Sequence, residues 1–206
     1  MSILIKSAKI IDASSKFNGK TKDIFIKQGI IQEIADNIVK KSAKEINLDN
    51  LHVSQGWLDS SVCFGEPGLE ERETIENGSR TACLSGFTDI ILNSNTLPVI
   101  DSKADVIYVK SKNKNKALKI HPLGALTVKS EGSEMAELHE MFDSGAVGFY
   151  DYKTSVKNPN LLKTALQYVQ HFDGLIMTFP FEKSICQNGQ MNEGEISTLY
   201  GLEGIP

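Results

Sequence analysis

Apolar and polar positions change rhythm near residue 55. Before it, Ile3-Leu4-Ile5, Ile10-Ile11, Asp23 to Lys27 and Ile30 to Ile34 form short β-rich runs, broken by Gly19 and Gln28-Gly29. The last two runs predict a hairpin about the Lys27-Gln28-Gly29 turn. Lys40 to Lys44 is a charged connection, expected to be a solvated loop. Residues 1–55 therefore read as a small β-domain with no chemistry of its own.

From Gly56 the pattern becomes alternating strand and helix. Trp57, Leu58, Val62 and Phe64 make a short apolar run without strict alternation, as expected for a buried parallel strand. Gly65-Glu66-Pro67-Gly68 stops it. Glu71 to Leu84 has helical composition, with Ile75, Ser79 and Ala82 on one face, and Gly86 ends it. Phe87 to Leu92 is the next strand, so the stretch reads as a βαβ unit. Ala104 to Ser111 reads either as a short strand or as the start of a helix. The lysine-rich run from Lys110 to Lys119 lacks glycine-rich or aromatic company and reads as a solvated face or loop.

Ile120 to Val128 is a further strand. Glu134 to Phe142 follows as a helix, with Ser133 as its cap. Gly145 to Asp151 is a strand, Asn158-Pro159 opens a helix over Asn160 to Gln170, and Gly174 to Phe179 is the last clear strand. A polar loop leads on to Gly204-Ile205-Pro206. About five strands thus alternate with helices after residue 55, where a closed (β/α) barrel has eight. An open half-barrel exposes strand edges and apolar helix faces, so the pattern predicts a fragment or one of two pieces of a longer polypeptide. A complete doubly wound domain of about five strands is the alternative.

Composition narrows the class. The 206 residues are 40% hydrophobic and 23% charged, an ordinary globular balance. A net charge of -4 and a pI near 5.6 argue against a nucleic-acid or anionic-membrane partner. No apolar run approaches the roughly 20 residues of a membrane span. Cys63, Cys83 and Cys186 are scattered and form no disulfide framework, which points to a reducing cytoplasm.

The stretch from Gly56 to Pro98 resembles the dihydroorotases of the amidohydrolase superfamily. Their equivalent segment reads G-x-I-D-x-H-x-H-x-R-E-P-G, then a helix with K/R-E-T-I-x-x-G, then G-G-F-T and a P-N-T-x-P loop. Gly56, Asp59, Val62, Phe64, Glu66, Pro67 and Gly68 match here, as do Glu73, Thr74, Ile75, Gly78, Gly86, Phe87, Thr88, Asn95, Thr96 and Pro98. Gly124 to Thr127 and Met191 to Pro206 are also similar to family segments. The resemblance implies the first half of a (β/α) TIM-type barrel, preceded by a small β-domain, with residues 56–206 forming the incomplete barrel. It also implies a parent reaction: zinc-dependent hydrolysis of dihydroorotate to carbamoyl-aspartate in pyrimidine synthesis.

The departures fall on the chemistry. Ser61 and Cys63 stand where the family has its two metal-binding histidines, and Gly65 where it has the substrate-holding arginine. Asn95 matches the asparagine that contacts the substrate carboxylate, and equally suits a plain turn. Asp151 matches an aspartate that bridges two metals, while a lone carboxylate at a strand end is more often a helix cap. The next family ligand, a histidine, falls on Phe179, and its neighbouring glutamate on Phe181. Three of the four family metal positions covered here are therefore Ser, Cys and Phe.

Read without the family, the residues agree. A hydrolytic zinc needs His nitrogens and carboxylates converging at strand ends. His52, His121, His139 and His171 are dispersed, none one or three residues from another. Cys63 ends its strand as a small residue filling space or, alternatively, as a nucleophile or ligand. The expectation is a degenerate homologue that holds no zinc. The alternatives are an active cyclic amidohydrolase with an altered ligand set, and a structural partner of aspartate transcarbamoylase. A homo-oligomer or a complementary C-terminal half would complete the sheet.

Overall fold

The computed structural model describes residues 2–113, 117–186 and 188–206. Part of the lysine-rich run, residues 114–116, lies outside them. The chain divides into two compact units, residues 1–56 and 57–206.

In the first unit β1 (Ser2–Ile11) is central. It pairs antiparallel with β2 (Thr21–Lys27), and β2 pairs with β3 (Ile30–Ala35). On its other side β1 pairs in parallel with β4 (Lys44–Asn47) and β5 (His52–Ser54). The β2–β3 turn is the expected hairpin: Gln28 and Gly29 both have positive φ, at 54° and 77°, as a primed two-residue turn requires. Leu4, Ala8, Ile10 and Ile24 are buried. Among them lies Asp23, which binds Lys6 Nζ and accepts the backbone N–H groups of Ser7 and Ile38, each at 2.9 Å.

The second unit opens with β6 (Trp57–Val62), α1 (Ile75–Leu84) and β7 (Phe87–Leu92), with α2 (Lys103–Lys112) leading to β8 (Lys119–Pro122). The three strands are parallel, in the order β6-β7-β8. After α3 (Leu138–Asp143), β9 (Phe149–Tyr150) joins through Gly124. The Gly124 N–H donates to Gly148 and its carbonyl accepts from Tyr150. After α4 (Pro159–Val169), β10 (Ile176–Met177) pairs in parallel with β9. A short α5 (Lys183–Cys186) follows. Then β11 (Met191–Asn192) and β12 (Gly204–Ile205) flank α6 (Glu195–Tyr200). Two parallel sheets, β6-β7-β8 and β9-β10, are thus linked through the Gly124–Phe149 bridge. Ile90, Leu92 and Ile120 of the sheet are buried in one cluster with Ile75 of α1, Val106 and Val109 of α2, and Met141 of α3.

Local differences from expectation have physical causes. The ambiguous stretch 104–111 is helical, opened by a Ser102–Asp105 capping box. Helix α1 starts at Ile75 rather than Glu71. There Thr74 Oγ1 accepts the Asn77 N–H, and buried Glu66 accepts the Ile75 N–H at 2.8 Å. Ser133 caps nothing. Residues 134–136 are tied to 126–128 by backbone bonds from Val128 to Glu134 and from Ala136 to Leu126, so α3 begins only at Leu138. The long strands expected over 120–128, 145–151 and 174–179 shrink to four, two and two residues. Asn158 does cap α4, with Pro159 in its first turn.

Candidate functional site at the strand ends

Ligands of open parallel α/β sheets bind outside the carboxyl ends of the strands. In β6 that end carries Ser61 and Cys63, and in β7 it carries Asn93. Asn93 is 1% exposed. Its Nδ2 donates to Ser61 Oγ at 3.1 Å, to the Val62 carbonyl at 3.2 Å and to Cys63 Sγ at 3.4 Å. Ser61 and Cys63 are therefore joined through one buried amide. Cys63 also lines a cavity of about 360 Å³ with Asp59, Val62, Phe64, Gly78 and Ala82.

Gly65 and Asn95 lie on two loops that touch. The Leu97 N–H donates to the Pro67 carbonyl at 2.9 Å. Gly65 has φ of +114°, and a Cβ there would lie 2.6 Å from the Leu69 carbonyl oxygen. The position excludes any larger side chain unless the loop moves. Asn95 is half-buried, and its amide has no hydrogen-bond partner among the described residues.

Asp151 follows β9 and is 2% exposed. Its Oδ1 accepts the N–H groups of Leu126 and Thr127 at 2.9 and 3.0 Å, and its Oδ2 accepts the Thr127 hydroxyl at 2.6 Å. Thr127 Oγ1 in turn accepts the Gly132 N–H at 2.8 Å. Both carboxylate oxygens are thus engaged in tying the segment after β8 to the end of β9. Phe179 and Phe181, beyond β10, stack with centroids 5.5 Å apart.

The histidines do not gather. His121 bonds Asp89 at 2.8 Å, and that bond, with one from Thr88, holds the Asp89 carboxyl below its ordinary pKa. His139 faces Asp143 and packs edge-on to Phe172, while exposed His52 bonds the Asn50 carbonyl. Among the described residues, no three His, Cys, Asp or Glu side chains are placed to hold one metal ion. Of the side chains at the ends of β6 and β7 (a hydroxyl, a sulfur and an amide that bonds both), only the Cys63 sulfur is a usual zinc ligand, and one such ligand does not make a zinc site.

Two contributors escaped the sequence reading. Asn93 is visible only as a polar residue directly after a strand. Glu66 was matched as a motif residue without a role. It accepts from Ile75, Tyr108 and Lys112, a set spread over 46 residues of chain from Glu66 to Lys112.

A parallel α/β sheet with its polar side chains at the carboxyl strand ends defines the general class. The Dihydro-orotase-like family model matches residues 52–206, and the chain belongs to that family. It is 36% identical over 208 residues to a dihydroorotase from Pelotomaculum thermopropionicum, covering 100% of this chain and 48% of that protein. It is 36% identical over 207 residues to a dihydroorotase from Ruminiclostridium cellulolyticum, with the same two coverages. The chain thus spans about half the length of these curated relatives. Its fold is similar to that of an L-hydantoinase (dihydropyrimidinase) from Arthrobacter aurescens. The TM-score is 0.75 at 19% identity, over 90% of this chain and 42% of that one. No helix among the described residues is long and apolar enough to cross a membrane.

Proposed function

We propose that this chain is a dihydroorotase homologue of pyrimidine biosynthesis that does not itself catalyse the hydrolysis. One observation carries the reading. Ser61, Cys63 and Phe179 stand at the positions of metal-binding histidines, and the first two are bonded to Asn93 instead of converging on an ion. A metal centre would supply hydroxide at neutral pH by lowering the pKa of bound water. At these strand ends Ser61 and Cys63 are bonded to an amide, and the Asp151 carboxylate is engaged by Leu126 and Thr127. A substrate carboxylate would also lack a charged partner, because Gly65 leaves no room for one beside Asn95. The five parallel strands are read as the first part of a (β/α) barrel.

The test is the zinc content of the purified protein together with a dihydroorotate hydrolysis assay. Near-zero zinc and no turnover are expected. Stoichiometric zinc with turnover abolished by a chelator would overturn the reading and restore an altered ligand set.

A second reading concerns partners. Among the described residues β6 pairs on one side only, and its Trp57 and Leu58 are 60% and 56% exposed. Such an edge favours a structural role beside another polypeptide. Candidates are aspartate transcarbamoylase, a second copy of this chain, or a complementary half of the fold.

A further inference from the structure

Asn93 is fixed in orientation by its surroundings. The Val62 carbonyl can only accept, so the amide atom facing it at 3.2 Å must be the nitrogen. That orientation also turns the nitrogen toward Ser61 Oγ and Cys63 Sγ. The opposite atom, Oδ1, is buried and has no partner among the described residues. The cluster links the carboxyl end of β6 to that of β7, where the Asn93 N–H also donates to the Val62 carbonyl at 2.9 Å.

We infer that Asn93 locks the carboxyl ends of β6 and β7 into a metal-free arrangement. It is a positioning residue that holds Ser61 and Cys63 through its side-chain amide. A cation drawing on the Ser61 and Cys63 donor atoms would face an N–H that already points at both and carries the wrong sign of charge. The inference rests on the reading of this site as one without zinc, and adds the residue that keeps it so. Serine and cysteine at the two positions leave the strand ends short of bulk and of a bridging ion, and Asn93 supplies a bridge made of hydrogen bonds.

The test is side-chain amide hydrogen exchange by NMR on the 206-residue chain, with the Asn93 amide assigned through its own backbone. The Asn93 protons are expected to exchange at least about tenfold more slowly than those of Asn95, which has no such partners. Ser61→Ala is expected to speed the Asn93 exchange about threefold, because the two amide hydrogens, shared among three acceptors, lose the Ser61 oxygen. One equivalent of zinc should leave the Asn93, Ser61 and Cys63 resonances unmoved. Exchange of Asn93 as fast as that of Asn95 would overturn the lock and leave the metal-free reading intact. Movement of these resonances by zinc would overturn both. The wild-type measurement decides the matter even where a variant does not fold.

Discussion

Asp23 of β2 lies sealed from water against Lys6 of β1, and its charge has consequences that can be measured. Burial pushes its carboxyl pKa up. The Lys6 ammonium and the N–H groups of Ile38 and Ser7 outweigh that and hold it below the ordinary 3.8. A folded pKa below the unfolded one means the stabilisation is fully present above about pH 4 and is lost as pH falls through the folded value. Asp23→Asn should cost about 2 kcal/mol at pH 7, because it removes the charged partner of part-buried Lys6. It should also flatten the loss of stability below pH 4, as thermal melts from pH 7 to pH 2 would record. Unchanged melting at pH 7 would mean the pair contributes nothing. At this scale the sequence reading was uneven. The replacement of an arginine by Gly65 was legible in the motif. That no side chain fits there depends on the Leu69 carbonyl, which only the fold places.

Helix α1 packs against the segment that follows β6. The Phe64 ring lies where a Cβ on Gly78 would come within 2.4 Å of it. Gly78 therefore lets the helix approach that segment, and the motif position has a steric reason. Gly78→Ala should destabilise by about 2 kcal/mol despite the better helix propensity of alanine. Adding Phe64→Leu should recover part of that in urea unfolding. Simple additivity of the two changes would count against the contact. The existence of α1, α4 and the β2–β3 hairpin was legible because caps, glycines and apolar spacing are local. The late start of α1 was not, because Glu71-Arg72-Glu73 suits a helix in composition while the first turn is capped by Thr74 and by Glu66, nine residues upstream of Ile75. Ser133 failed as a cap for the same kind of reason: its neighbours bond back to residues 126–128.

Among the described residues of the second unit, β6 and β10 each pair on one side only. Parallel strands are ordinarily covered on both faces and seldom left at an open edge. Sedimentation of the purified chain at micromolar concentration, alone and mixed with aspartate transcarbamoylase, should give a species heavier than 22.7 kDa. Trp57→Lys should shift it back toward the monomer. A chain that stays monomeric in both mixtures, folds cooperatively and ignores Trp57→Lys would sink the partner reading. The sequence by itself determined the alternation of strands and helices and the family, since both are written in local pattern and in residue identity. Tertiary structure alone decided what the side chains at the strand ends touch. Asn93 reaches back 30 residues to Cys63, Asp151 spends both oxygens on Leu126 and Thr127, and Phe179 stacks on Phe181. The physical reason is that a hydrogen bond or a ring contact depends on distance in space, which the order of residues does not give for groups far apart in the chain.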